Sequence, residues 1–266
     1  MKGAIARVMV PAIVLAAFCG EVQAQDFAAA VPVMGEGALS LIEHGVAATP
    51  PGAAFEGGVV RWLGIDDFTT RSLAVSGRWR SLTGAAGLSA TGGDEGWRSA
   101  GIASGYAGSN AGAALRAVFR QDAAPEAIET PLGRGAGLEA GTGAWIRPRP
   151  GLDVWASHPQ IYMKGAAPPL NRGLETGIRL AGDGISAWLA RRAAGGREAR
   201  HRGGVALEFG TVASAWIEAR DDPLRTGYGI EARSRLVAVA FALETHPVLG
   251  ETARLSLAIG GAPGGP

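Results

Sequence analysis

From about residue 58 onward the chain alternates apolar with small or polar residues at a period of two, in segment after segment. That period belongs to a strand with one greasy face, because successive side chains of a strand point to opposite sides of the sheet. Leu174, Thr176, Ile178 and Leu180 are interleaved with Glu175, Gly177 and Arg179; Val205, Leu207 and Phe209 enclose Ala206 and Glu208. Ala213, Ala215, Ile217 and Ala219 oppose Ser214, Trp216, Glu218 and Arg220, and Leu255, Leu257 and Ile259 oppose Arg254, Ser256 and Ala258. The pattern predicts strands at 58–64, 70–80, 85–90, 97–106, 111–120, 134–146, 152–157, 173–181, 185–192, 204–210, 213–220, 227–233, 236–245 and 251–260. In 97–106 the phase stays open.

Turn chemistry separates these segments, as in Arg147-Pro148-Arg149-Pro150-Gly151, Gly182-Asp183-Gly184 and Asp221-Asp222-Pro223. Fourteen strands make the connections alternate between short (81–84, 107–110, 147–151, 182–184, 211–212, 234–235) and longer ones, with both termini on the short-turn side. Even strand number and sorted loops are marks of a transmembrane β-barrel. The expected fold is therefore all-β: a closed antiparallel transmembrane barrel of about 14 strands. Closure matters because an unpaired backbone amide in hydrocarbon costs several kcal/mol. Three predicted strands (58–64, 85–90, 152–157) fall short of the roughly 9–11 residues that a tilted crossing needs. A soluble periplasmic or surface β-sandwich is the competing fold.

The first 24 residues read as a secretory signal: Lys2 and Arg7, an apolar core over 8–18, and a small-residue cleavage site at Val22-Gln23-Ala24. That core is too short to cross a bilayer, and Pro11 interrupts it. Cleavage there removes Cys19, the single cysteine, and with it disulfide or thiolate chemistry. Taking Lys2, Arg7 and Glu21 from the 25 basic and 24 acidic residues leaves 23 of each, which argues against a nucleic-acid surface. The domain reading is signal 1–24, amino-terminal hatch or periplasmic segment 25–57, barrel 58–260 and tail 261–266. The expected location is the bacterial outer membrane, with membrane lipid and the barrel-insertion machinery as partners.

The stretch Glu244-Thr245-His246-Pro247-Val248-Leu249-Gly250-Glu251-Thr252 and the turn Arg147-Pro148-Arg149-Pro150-Gly151-Leu152 resemble elements of the FadL-like and PorV-like outer-membrane barrels. Gly35-Glu36-Gly37-Ala38 leading to Thr49-Pro50-Pro51-Gly52-Ala53-Ala54-Phe55 is similar to that family's amino-terminal stretch, without its Asn. Ala253 stands where the family commonly has His, and the chain ends in a Gly/Pro tail rather than an aromatic residue. The resemblance implies a plug entering the lumen and a small hydrophobic ligand, bound or passed across the membrane. Its PorV-like members imply a non-conducting barrel that docks a secretion system.

The inward phase carries the charges Arg78, Arg80, Arg116, Arg120, Glu139, Asp153, Glu175, Arg179, Glu208, Glu218, Glu231, Arg233, Glu244 and Arg254. Mixed signs on neighbouring strands predict cross-strand ion pairs. Trp145, Trp155, Trp188 and Trp216 share that phase; they line a solute path or pack against segment 26–57. His44, His158, His201 and His246 have no metal-ligand spacing, and Ser157-His158 are strand neighbours that point apart. No GxSxG is present. The sequence thus points to no enzyme, no metal and no cofactor.

Overall fold

The computed structural model describes residues 37–46, 54–65, 68–92, 96–122, 136–165, 173–193, 199–221, 224–247 and 250–260. The expected signal 1–24, the tail 261–266 and most of segment 25–57 lie outside them. Within them runs one closed antiparallel sheet in which each strand pairs with its chain neighbours and the last with the first. The strands are β1 (Ala54–Arg61), β2 (Thr69–Trp79), β3 (Leu82–Thr91), β4 (Trp97–Ala107), β5 (Ala111–Asp122), β6 (Ala136–Arg149), β7 (Leu152–Gly165), β8 (Leu174–Gly182), β9 (Ile185–Ala193), β10 (Arg200–Phe209), β11 (Ala213–Arg220), β12 (Arg225–Arg233), β13 (Val237–His246) and β14 (Gly250–Gly260). Each of the fourteen predicted strands has one counterpart in the same order. A single closed sheet leaves no room for the sandwich alternative.

Boundaries moved where the local signal is weak. β1 begins at Ala54 and ends at Arg61, ahead of the expected 58–64, because Glu56 and Gly57 hide its first alternation. β3 spans ten residues, not six. β7 runs on to Gly165, past His158-Pro159, where proline removes a ladder donor and the alternation stops being legible. The pairing of β6 with β7 shifts register there, between Ala140 and Thr142. A side chain at Gly141 would collide with the Pro159 carbonyl, so glycine is required opposite this bulge. β4, ambiguous in the sequence, turns Ser99, Gly101 and Ala103 inward and Ile102 and Tyr106 outward.

The turns on one rim contain two or three residues: Arg80-Ser81, Pro150-Gly151 and Asp183-Gly184 among them. Asp183 and Gly184 both have positive φ, the conformation whose twist suits a two-residue hairpin. Arg80 sits in such a turn with φ 55°, which corrects its expected place on the inner wall. Connections on the other rim are longer over β1 to β10, but on that rim only 221–224 joins β11 to β12 and only 247–249 joins β13 to β14. The loop sorting is thus weaker at the carboxy-terminal end than expected. Residue 54 pairs with residue 260, so the sheet begins and ends on the short-turn rim.

The side chains are arranged inside out relative to a soluble protein. Leu73, Leu88, Ile102, Leu115, Phe119, Leu189, Ile217 and Ile230 stand on the outside, Leu115 with 69% exposed. Trp79, Leu82 and Tyr106 form an exposed cross-strand row near the short-turn rim. Inside, a short helix, α1 (Ala38–His44), lies against one wall. Its buried Leu39 and Ile42 pack onto Ala74, Ala85, Ala103, Ala114 and Val118 of β2 to β5. Burying each of these two side chains contributes about 1.5–3 kcal/mol. The alanines make the bed: a larger inward residue there would occupy the helix's space. Gly45 closes α1 in the left-handed conformation, its N–H on the Leu41 carbonyl.

The four inward tryptophans follow one rule. Trp145, Trp155, Trp188 and Trp216 pair directly with Gly112, Gly177, Gly204 and Gly229 on an adjacent strand. Each indole lies over its glycine, so closely that a Cβ would fall within about 2.5 Å of ring atoms. Glycine here provides floor space for a ring. Gly177→Leu, which drives Trp155 off its floor, is expected to cost about 1–3 kcal/mol in denaturant unfolding in micelles. Gly182→Ala, whose Cβ meets nothing within 4 Å, should leave the midpoint unchanged; equal effects would contradict the ring-floor account.

Candidate functional site: the barrel lumen

The sequence-predicted charges divide by height and neighbours. Arg116, Arg120, Glu139, Asp153, Glu175, Glu218, Glu231 and Arg254 are buried within the lumen, and Arg179, Arg233 and Glu244 line it half-buried. Arg78 and Glu208 keep the inward phase but stand exposed near the short-turn rim, where Arg78 donates to the Ala107 and Arg80 carbonyls.

Three ion-pair groups and one separate pair result among the described residues. In the first, Arg116 Nη1 meets Glu139 Oε1 at 2.5 Å, with side-chain exposures of 0% and 5%. The same guanidinium donates from Nε to the Ile42 carbonyl at 2.5 Å and from Nη1 to the Pro159 carbonyl. One arginine therefore ties helix α1, the β7 bulge and Glu139 together. α1 has two more ties: Leu39 N–H donates to Glu56 Oε2 at 3.1 Å, and Ser157 Oγ donates to the His44 carbonyl at 2.5 Å.

The second group lies near the short-turn rim. Asp153 accepts from Arg147 Nε at 2.7 Å and from Arg179 Nη2 at 2.6 Å. The guanidinium of Arg147 also stands 5.6 Å from the Trp145 ring centroid, within cation–π range.

The third group is a belt toward the opposite rim, on β8 to β14. Glu175 takes Arg192 at 2.8 Å and Arg202 at 2.5 Å. Glu218 takes Arg220 at 2.5 Å, and Glu244 takes Arg254 at 3.2 Å, Arg225 at 3.3 Å and Arg220 at 3.4 Å. Glu231 and Arg233 pair separately, two residues apart on one strand face. Charge-assisted contacts of this kind satisfy the desolvated groups, which is a condition for burying them rather than a net gain.

The sequence reading missed Arg147, Arg192, Arg202, Arg220, Arg225 and Glu56 as lumen residues. A signal existed for three: β10, β12 and β1 begin earlier than expected, and carrying the inward phase back two residues reaches Arg202, Arg225 and Glu56. Arg192 and Arg220 already lay on the inward phase of predicted strands. Arg147 lies two residues past Trp145 on the same phase, but Pro148 and Pro150 make it read as part of a turn; it joins Asp153 across the β6–β7 connection.

The four tryptophans form one buried cluster with Val46, Ala190, Ala240 and Ala242. They touch the amino-terminal segment through Val46, which is contact of the packing kind. The histidines are scattered. His201 pairs with Asp221 at 2.8 Å in an exposed position, and His246 ends β13. Among the described residues no three His, Cys, Asp or Glu side chains gather as metal ligands.

No family model matches the chain, and no curated protein matches it. Among solved structures it is similar to Omp33 of Acinetobacter baumannii, at 10% identity over 78% of this chain and 98% of that one, with a TM-score of 0.48. It is likewise similar to the KdgM porin in complex with disordered oligogalacturonate (6% identity, 79% and 99% covered, TM-score 0.43). A Rhodopseudomonas blastica porin mutant gives 13% identity, 78% and 98% coverage and a TM-score of 0.41. Those neighbours are outer-membrane barrels; at this level of likeness neither family membership nor activity follows for this chain. The FadL-like and PorV-like resemblance rests on its sequence motifs alone.

Arg116→Leu leaves the Glu139 carboxylate buried without its cation and releases the Ile42 carbonyl, and should cost about 3–5 kcal/mol of stability. Adding Glu139→Leu should restore part of that loss in a double-mutant cycle read by chemical denaturation. Strict additivity would mean that the two side chains are not coupled.

Proposed function

We propose that this chain spans a bacterial outer membrane and binds or passes small hydrophobic molecules through a lumen that its own amino-terminal segment partly fills. One observation carries the reading: the sheet closes on itself with apolar side chains outside and ionised ones inside. Monomeric soluble proteins rarely expose contiguous apolar surface beyond a few hundred Å². Here large apolar side chains stand outward on strands all round the circumference, and lipid is the solvent that would cover them. Export through the segment 1–24 and assembly by the barrel-insertion machinery belong to the same proposal. The tryptophan cluster supports the ligand class, since it gathers large apolar rings on the inner wall beside the charged belt.

A second reading is favoured by the fastening of α1. Three side chains hold its backbone, an arrangement that suits a plugged barrel used as a docking platform. In both readings the chain is not an enzyme. The Ser157 hydroxyl is engaged with the His44 carbonyl, and His158 projects to the other side of the strand.

The mature protein should remain with membranes after carbonate extraction and migrate differently in detergent gels before and after boiling. A compact monomer in aqueous buffer without detergent would overturn the membrane reading. Reconstituted into liposomes, a passing barrel should admit small solutes, and Trp188→Ala or Trp216→Ala should alter uptake more than unfolding. A docking barrel gives no solute flux.

A further inference from the structure

We infer that the arginine belt on β8 to β14 is a recognition site for small carboxylate anions and makes the lumen anion-selective; the selectivity half rests on the conducting reading above. Strand register is the first observation. Arg202, Arg220 and Arg225 are paired directly across β10, β11 and β12, three like charges at one height on one wall. Like charges directly opposite one another on a sheet repel and destabilise it. The carboxylates that offset them lie in other rows: Glu218 faces Gly204 and Gly227, and Glu244 faces Gly227 and Thr252.

Stoichiometry points the same way. Among the described residues, five guanidiniums (Arg192, Arg202, Arg220, Arg225 and Arg254) share the three carboxylates of Glu175, Glu218 and Glu244. Side-chain exposures of these arginines are 10–15%, so water screens them weakly. Five cations against three anions leave this wall with a positive excess, and a concave wall with an excess of one sign in low-dielectric surroundings concentrates counter-ions.

Hydrogen-bond capacity is the third, independent observation. Among the described residues, the Nε–H groups of Arg192, Arg202 and Arg254 are buried without an acceptor, against one belt acceptor, Glu218 Oε2, without a donor. Further along the wall the Trp188 and Trp155 indole N–H groups also lack acceptors. Arginine and tryptophan can only donate, so this surplus calls for a solute that brings acceptor atoms. A carboxylate does so with the charge and fork geometry that guanidinium groups match. The belt already holds glutamate carboxylates at 2.5–3.4 Å, which is the coordination a free carboxylate would take up.

Two readouts on the mature, full-length protein test this, with citrate and potassium chloride as probes. In planar bilayers under a potassium chloride gradient, chloride should be favoured severalfold over potassium. In detergent, calorimetric titration with citrate should detect binding. Arg202→Gln with Arg225→Gln should reduce both while boiling still shifts gel mobility; Arg225→Gln alone serves if the double variant does not fold. Arg202→Lys with Arg225→Lys should keep the chloride preference and weaken citrate. Citrate binding in a barrel that carries no current upholds the site and rejects conduction. A folded wild-type barrel that binds no citrate overturns the site whether or not it conducts, and a conducting barrel that passes potassium as readily as chloride overturns the selectivity.

Discussion

The pairing of β1 with β14 is the contact on which the rest depends. It joins Ala54–Arg61 to Gly260–Ala253 and removes the two edges that an open fourteen-stranded sheet would leave. With the ring closed, main-chain donors and acceptors of both terminal strands are satisfied within the sheet. Its outer surface can then be apolar without exposing a template for aggregation. The same closure creates an enclosed interior, and every inward residue must find its neighbours there.

How that interior is filled follows from residue size. Alanines on β2 to β5 leave a shallow bed for α1, and glycines opposite the four tryptophans leave floor for the rings. Gly143 has the same role for the amino-terminal segment: a Cβ there would run into Val46 and the Gly45 carbonyl. The lumen is thus asymmetric. One side is occupied by a helix on small residues, with Arg116 and Glu139 beneath it. The other is lined by arginines that outnumber their carboxylates.

Much of this was legible in the residues. Period-two alternation placed fourteen strands in order, and it assigned Arg116, Glu139, Asp153, Glu175 and the four tryptophans to the inner face, where they lie. It failed at ends and irregularities. Pro159 masked the second half of β7, and Glu56-Gly57-Gly58 blurred the start of β1. Arg80 followed the inward phase on paper but belongs to a turn with positive φ. In each case the local signal is a two-residue repeat, which a proline, a glycine pair or a turn interrupts within a few residues.

By itself the sequence determined strand number, order and the sidedness of every strand but β4, because those depend on local period and on turn residues. It could not determine which charges meet. Arg116 reaches Glu139 on the adjacent strand and the Ile42 carbonyl on a helix far away in the chain. The belt of Arg202, Arg220 and Arg225 exists only because three strands stand at one register. Register is set by hydrogen bonding between strands, and the position of α1 by the space that small inward residues leave. Both are properties of the closed sheet as a whole, and only the tertiary structure decides them.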